Sequence, residues 1–250
     1  MLDFHIVIPA RLHSTRLAQK LLRPIDNKFL LQHTIERALS AGAASVTVAA
    51  DDIAIVDALA GMDISVLMTK DTHETGTDRL AETVDLLGLP DDALVVNLQG
   101  DEPLMPVGLI QQVAQHLANE ATASVATLYE PIVHQADLHN PAIVKMILNH
   151  EGFAVYFSRA AIPFDRDASI TEDLLPQFYF RHLGLYAYRA HFLRHYAALP
   201  KAPMEQLEKL EQLRVLYAGY AIAAAKAAHY CPPGVDTEDD LLKIIALLKR

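Results

Sequence analysis

The chain has 250 residues, 52% of them apolar and 21% charged, which is enough to bury a sizeable core and excludes a disordered protein. With 21 basic against 31 acidic residues the formal charge is −10, which excludes broad binding of a nucleic-acid polymer and means that an anionic ligand needs a local exception. Cys231 is the single cysteine, so no intrachain disulfide forms, and no run approaches the roughly 20 apolar residues of a membrane span. Asp3 stands where a signal peptide carries positive charge, so a cytoplasmic protein with no membrane insertion is expected.

Short β-branched runs alternate with helical patterns through the first half. Residues 4–8 read as a buried strand. Leu30, Leu31, Thr34, Ile35, Ala38 and Leu39 mark the apolar stripe of a helix that Gly42 closes. Residues 45–49 form a second strand, and Asp51 and Asp52 suit the start of a helix reaching residue 60. Residues 64–68 form a third strand. Thr77 is placed to cap a helix that runs to residue 87 and ends at Gly88. Residues 93–98 form a fourth strand. This rhythm implies an α/β fold with a mostly parallel sheet and helices on both faces. In the second half, 124–128, 142–148, 153–157 and 180–188 read as strands, and 190–198, 203–218 and 237–248 as helices. That half is an α+β extension on the same core. The polar stretch 167–177 has few apolar anchors and is expected to be the flexible segment.

Open α/β sheets bind ligands outside the carboxyl ends of their strands. Beyond the first strand stands a basic loop containing Arg11, Ser14, Thr15, Arg16 and Lys20. Over residues 1–28, Arg11, Arg16, Lys20, Arg23 and Lys28 face only Asp3 and Asp26, a surplus of three positive charges suited to a polyphosphate. Neither G-x-G-x-x-G nor G-x-x-x-x-G-K-[ST] occurs, so any phosphate cradle depends on side-chain cations. Beyond the fourth strand, Gln99-Gly100-Asp101-Glu102 supplies carboxylates able to hold Mg²⁺ against nucleotide phosphates. Asp236 precedes the last helix, where Thr237 and Asp240 also resemble a simple capping box. Cys231 reads as a small filler residue, and His191 and His195 as helix-surface histidines. The charges of 207–214 read as mostly solvated.

Seven motifs in collinear order carry a resemblance. They are Pro9-Ala10-Arg11 with Ser14 to Leu17 and Lys20; Thr75-Gly76-Thr77-Asp78-Arg79-Leu80; Gln99-Gly100-Asp101-Glu102-Pro103; Tyr156-Phe157-Ser158-Arg159-Ala160; Arg181-His182-Leu183-Gly184-Leu185-Tyr186; Leu210-Glu211-Gln212-Leu213-Arg214; and Val235-Asp236-Thr237. Together they resemble the 3-deoxy-manno-octulosonate (Kdo) cytidylyltransferase family, the CMP-Kdo synthetases. The resemblance implies a Rossmann-like, GT-A-like nucleotidyltransferase fold with a mostly parallel mixed sheet and an α+β dimerisation extension. It implies one domain over 1–250, with a CTP-binding half near 1–120, a sugar-acid and dimerisation half near 121–235, and a return helix over 236–250. It implies transfer of CMP from CTP to Kdo, with Mg²⁺, giving pyrophosphate and CMP-Kdo for lipopolysaccharide synthesis by a homodimer.

By the same resemblance, Ala10, Arg11 and Lys20 hold the nucleotide, with Gly76, Thr77 and Arg79 in a loop around cytosine and ribose. Asp101 and Asp236 are the implied metal ligands, and Arg11, Lys20 and Asp101 the implied catalytic residues. Gln99, Arg159, His182, Tyr186, Glu211 and Gln212 line the implied sugar-acid pocket. The chain departs from the family pattern at Ala18-Gln19, where Pro-Gly is usual before the loop lysine, and at Ala50, where Thr is usual. The alternatives are an 8-amino-Kdo or sialic-acid cytidylyltransferase, and a non-catalytic nucleotide-binding regulatory subunit.

Overall fold

The computed structural model describes residues 2–14 and 16–248; Thr15 of the basic loop lies outside the described residues. The elements run β1 (His5–Ala10), β2 (Pro24–Ile25), β3 (Lys28–Phe29), α1 (Leu30–Leu39), β4 (Ser45–Ala50), α2 (Ile53–Ala58), β5 (Ser65–Met68), α3 (Gly76–Leu86) and β6 (Leu94–Asn97). They continue with α4 (Val107–Asn119), β7 (Val125–Pro131), α5 (Gln135–His139), β8 (Lys145–Leu148), β9 (Ala154–Ser158), α6 (Leu175–Phe178), β10 (Phe180–Arg189) and α7 (Ala190–Tyr196). The last are α8 (Pro203–Glu208), α9 (Gln212–Tyr217), β11 (Ile222–Lys226) and α10 (Glu238–Leu248).

One sheet takes strands from both halves in the order β11-β7-β10-β6-β1-β4-β5, and the β8/β9 hairpin pairs onto β10. β1, β4, β5 and β6 are mutually parallel, as are β7 and β11, while β10 runs antiparallel to its neighbours β6 and β7. Both faces are covered, so the central strands are apolar at successive positions rather than alternating. Ile6 and Ile8 face one core with α1, α4 and α10, while Val7 faces the other with α3, α7 and α9.

The first four expected strands and the α1 stripe are present, although Leu39 is exposed. Three expectations are corrected. Thr75, not Thr77, caps α3: its extended backbone precedes the first turn and its hydroxyl accepts from Asp78 N at 3.1 Å. The helix expected over 203–218 is two helices, because Lys209 adopts a left-handed φ of 54° and ends α8. The 207–214 charges are not mostly solvated: Arg214 is buried, and Glu208 and Glu211 are both hydrogen-bonded. The polar stretch 167–177 also carries an anchor, since Leu175 is buried beside Ile132, Leu138 and Tyr179.

Candidate functional site

The parallel strands end together, and so do the loops that follow them. Lys20 Nζ, from the loop after β1, bonds Asp101, beyond β6, and Asp236 at 3.0 Å. Arg16 Nη2 reaches the same Asp236 oxygen at 2.9 Å. The C-terminal segment is pinned to the β6 loop by Val235 N donating to Asp101 O at 2.9 Å. Gly234 permits this approach, because a Cβ there would stand 2.9 Å from Glu102 Oε1. Burial lowers the proton affinity of Lys20, but the charges and hydrogen bonds of Asp101 and Asp236 outweigh it and leave the pKa raised. Burial, with the Asp101 and Asp236 charges, pushes Glu102 up to about 8. The capping box is also formed, Asp240 N donating to Thr237 Oγ1 at 3.3 Å, so Asp236 and the helix cap coexist.

The family's Pro-Gly gap is bridged by the backbone. Gln19 takes φ 47° and ψ 39°, the left-handed conformation that glycine adopts most easily, and Lys20 still reaches both acids. Gln19→Gly is therefore expected to raise stability by up to about 1 kcal/mol, read as a higher urea midpoint.

Ala10 is buried at the end of β1, and its carbonyl accepts from Asp51 N at 3.2 Å. Asp51 does not start α2; Asp52 does, accepting from Ala54 N at 2.8 Å. Asp51 instead accepts from Leu12 N at 2.8 Å and lies 3.9 Å from Arg11 Nε and 3.4 Å from Arg79 Nη2. Arg11 Nη1 also donates to Glu74 O at 3.2 Å. Gly76, Thr77 and Arg79 lie in α3 and not in a loop, and Arg79 is 0% exposed with its guanidinium on Thr69 and Asp51. Its place is to hold Asp51, which holds the base of the Arg11 loop.

A second cluster adjoins the first through Gln99. A Cβ on Gly76 would lie 3.6 Å from Gln99 Nε2, which donates to Asn97 Oδ1 at 3.2 Å. Thr77 Oγ1 donates to Glu211 Oε2 at 2.8 Å, because capping by Thr75 leaves Thr77 free. Burial raises the Glu211 pKa, opposed by its bonds from Thr77. Gln212 is buried beside it at the start of α9, and the buried Tyr186 hydroxyl has no hydrogen-bond partner among the described residues. His182 Nε2 lies 3.1 Å from Thr127 Oγ1, and its ring is edge-on to Phe157 at 5.0 Å and tilted to Tyr186 at 5.1 Å. Arg159, at the end of β9, is held by Glu208, Nε donating to its carbonyl at 2.8 Å. Asp51 and Glu208 are not recognisable as site residues from the sequence. Only their position after a strand or beside a motif marks them.

Burial pushes His182 down to about 3. The folded pKa lies below the unfolded value, so the stability it confers is complete above about 6.5 and falls as pH drops toward 3. From pH 7 to 5 the unfolding free energy is expected to fall by about 1–2 kcal/mol on this account. His182→Gln should remove that share of the fall, as read by urea denaturation at both pH values. An identical fall in the variant would contradict it.

Cys231 is the buried filler expected, its thiol pushed up to about 12 chiefly by burial. His191 and His195 are exposed on α7. No helix among the described residues is long and apolar enough to cross a membrane. No group of three or more His, Cys, Asp or Glu gathers as a metal site among the described residues. The Asp101–Asp236 pair still fits a hard cation: two carboxylates converge on one positive charge, and Mg²⁺ needs only one or two such ligands beside phosphates and water.

A nucleotidyl transferase from Methanothermobacter thermautotroptrophicus superposes at a TM-score of 0.61 with 18% identity, over 99% of this chain and 98% of the other. That likeness is one of fold alone. The cytidylyltransferase family model matches residues 5–224. A 3-deoxy-manno-octulosonate cytidylyltransferase from Francisella tularensis subsp. novicida (strain U112) is 47% identical over 98% of each chain. A solved CMP:2-keto-3-deoxy-manno-octonic acid synthetase complexed with CTP superposes at a TM-score of 0.89, with 39% identity over 99% of each chain. The chain belongs to the cytidylyltransferase family and, within it, to the 3-deoxy-manno-octulosonate cytidylyltransferases.

Proposed function

We infer that this chain activates Kdo by transferring the cytidylyl group of CTP to its anomeric hydroxyl. The carrying observation is the meeting of Asp101 and Asp236, distant in the chain, on Lys20 at the strand ends. The hydroxyl oxygen bonds to the α-phosphorus, the bond from that phosphorus to the bridging oxygen breaks, and pyrophosphate leaves as the hydroxyl proton passes to solvent. Such a transfer depends on positioning and on neutralising phosphate charge.

Arg11 and Lys20 supply positive charge to the departing pyrophosphate. Gly76 and Thr77, at the start of α3, border the nucleoside, and buried Arg79 steadies Asp51 beneath Arg11. Asp101 and Asp236 would hold Mg²⁺, which when bound would neutralise phosphate charge and lower the hydroxyl pKa. Gln99, His182, Tyr186, Glu211 and Gln212 offer donors and acceptors to the sugar hydroxyls. Arg159 takes the sugar carboxylate with the planar fork that lysine lacks. The same reading includes a homodimer formed through the second half, a cytoplasmic location, and a product destined for lipopolysaccharide synthesis.

The test is pyrophosphate release with CTP, Mg²⁺ and a panel of 2-keto sugar acids. Release is expected with Kdo at a higher kcat/KM than with 8-amino-Kdo or a sialic acid. A preference for either analogue would move the reading to that substrate. Tight CTP binding with no release under any divalent cation would identify a non-catalytic nucleotide-binding protein.

A further inference from the structure

The turn that carries Arg159 is held by a charge cluster with no role in the chemistry above. The Glu208 carboxylate accepts from Ser158 Oγ at 2.6 Å and from Arg159 N at 2.9 Å. The Glu208 carbonyl accepts from Arg159 Nε at 2.8 Å, and Pro141 O accepts from Nη1 at 2.9 Å. Pro141 is itself fixed from below. Lys145 is 0% exposed, and its ammonium donates to Asn140 O at 3.0 Å and Ile143 O at 2.6 Å, curling the chain around it. That curl is why β8 starts at Lys145, three residues after the strand expected from 142.

Two consequences follow for Arg159. Its guanidinium is held at Nε and at one Nη1 hydrogen, and its other N–H groups have no partner among the described residues. The cluster is also unbalanced, since Lys145 and Arg159 bring two positive charges against the single negative charge of Glu208. That surplus in a partly buried place favours an anion. An arginine fixed before binding loses less side-chain freedom when a carboxylate arrives.

We propose that Glu208 is a positioning residue for sugar-acid recognition: it locks the Ser158–Arg159 turn so that the unpaired edge of the guanidinium is a preformed fork for the substrate carboxylate. This rests on the reading of Arg159 given above. Glu208 touches no substrate and acts through Arg159.

Steady-state kinetics of the full chain with CTP, Mg²⁺ and Kdo test it, using Glu208→Gln, Arg159→Lys and the double variant. Glu208→Gln keeps the side-chain size and removes the charge and one acceptor. It should raise KM for Kdo about tenfold, with KM for CTP within about twofold and Tm nearly unchanged. Arg159→Lys should raise the same KM. In the double variant the second substitution should add less than about threefold, because residues acting through one contact are not additive. If Arg159→Lys raises KM for Kdo while Glu208→Gln leaves it alone, or raises both KM values equally, the positioning role is overturned and Arg159 keeps its own. If Arg159→Lys leaves KM for Kdo unchanged, the reading of Arg159 fails and the proposal goes with it. Should Glu208→Gln fold poorly, Ser158→Ala removes the hydroxyl donor and keeps the charge. It should show the same split between the two KM values, and equal changes in both would overturn the role.

Discussion

Asp101→Asn is expected to lower turnover at least about 100-fold while the protein stays folded. The substitution swaps a hard anionic ligand for a neutral amide of equal size. The amide oxygen can still accept from Lys20, so the geometry of the β6 loop is kept. It also takes one negative charge away from beside Glu102, whose proton affinity burial and the Asp101 and Asp236 charges raise. The loss therefore falls on kcat with the melting temperature nearly unchanged. Pyrophosphate release at saturating CTP and Kdo, beside a thermal melt, checks both halves. Near-normal turnover would remove Asp101 from the metal site.

Glu205→Ala is expected to cost about 3–5 kcal/mol of stability, because it takes the hydrogen-bonded partner from a buried arginine whose other carboxylate, Asp78, stands 3.8 Å away. Glu205 and Arg214 are 7% and 3% exposed. Arg214 Nη2 donates to Glu205 Oε1 at 2.6 Å and Nε to Oε2 at 3.0 Å, and the guanidinium lies 4.6 Å from the centre of the Tyr196 ring. The pair clamps α8 against α9, and that junction carries Glu208, Glu211 and Gln212. Urea unfolding measures the loss, and a cost under about 1 kcal/mol would show that the pair is not truly desolvated. Replacing both partners, as Glu205→Leu with Arg214→Met, should recover most of it, since no unpaired charge is then buried.

Much of the first half is legible because its physics is local. β1, β4 and β6 are covered on both faces and read as β-branched runs, and candidate site residues follow β1 and β6. α4 and β11 are not legible. α4 starts at Pro106 with no side-chain cap, and β11 reads Ile-Ala-Ala-Ala-Lys, whose alanines favour a helix until pairing with β7 decides. The sequence points to Thr77 as the N-cap of α3, and the extended backbone of Thr75, two residues earlier, decides otherwise. The break at Lys209 is equally invisible, since lysine is an ordinary helix former.

The site divides in the same way. Motif order brings out Lys20, Asp101, Asp236, Arg159 and Glu211 as residues. Their pairing is long-range: Lys20 with Asp236, Thr77 with Glu211, Arg159 with Glu208. A charge that looks solvated in a helical stretch, such as Glu208 or Arg214, is recruited only when another segment arrives. The net charge of −10 misleads for a related reason. Ligand binding depends on the local field, and Arg11, Arg16 and Lys20 gather at one strand end.

Phosphorus NMR of the protein with CTP, Kdo and Mg²⁺ is the most direct test that CTP and Kdo are joined at the site of Asp101, Lys20 and Asp236. The three CTP resonances are expected to give way to one phosphodiester resonance and an equal amount of pyrophosphate, only when Kdo is present. Pyrophosphate formed without Kdo, or free CMP with no phosphodiester at early times, would contradict it.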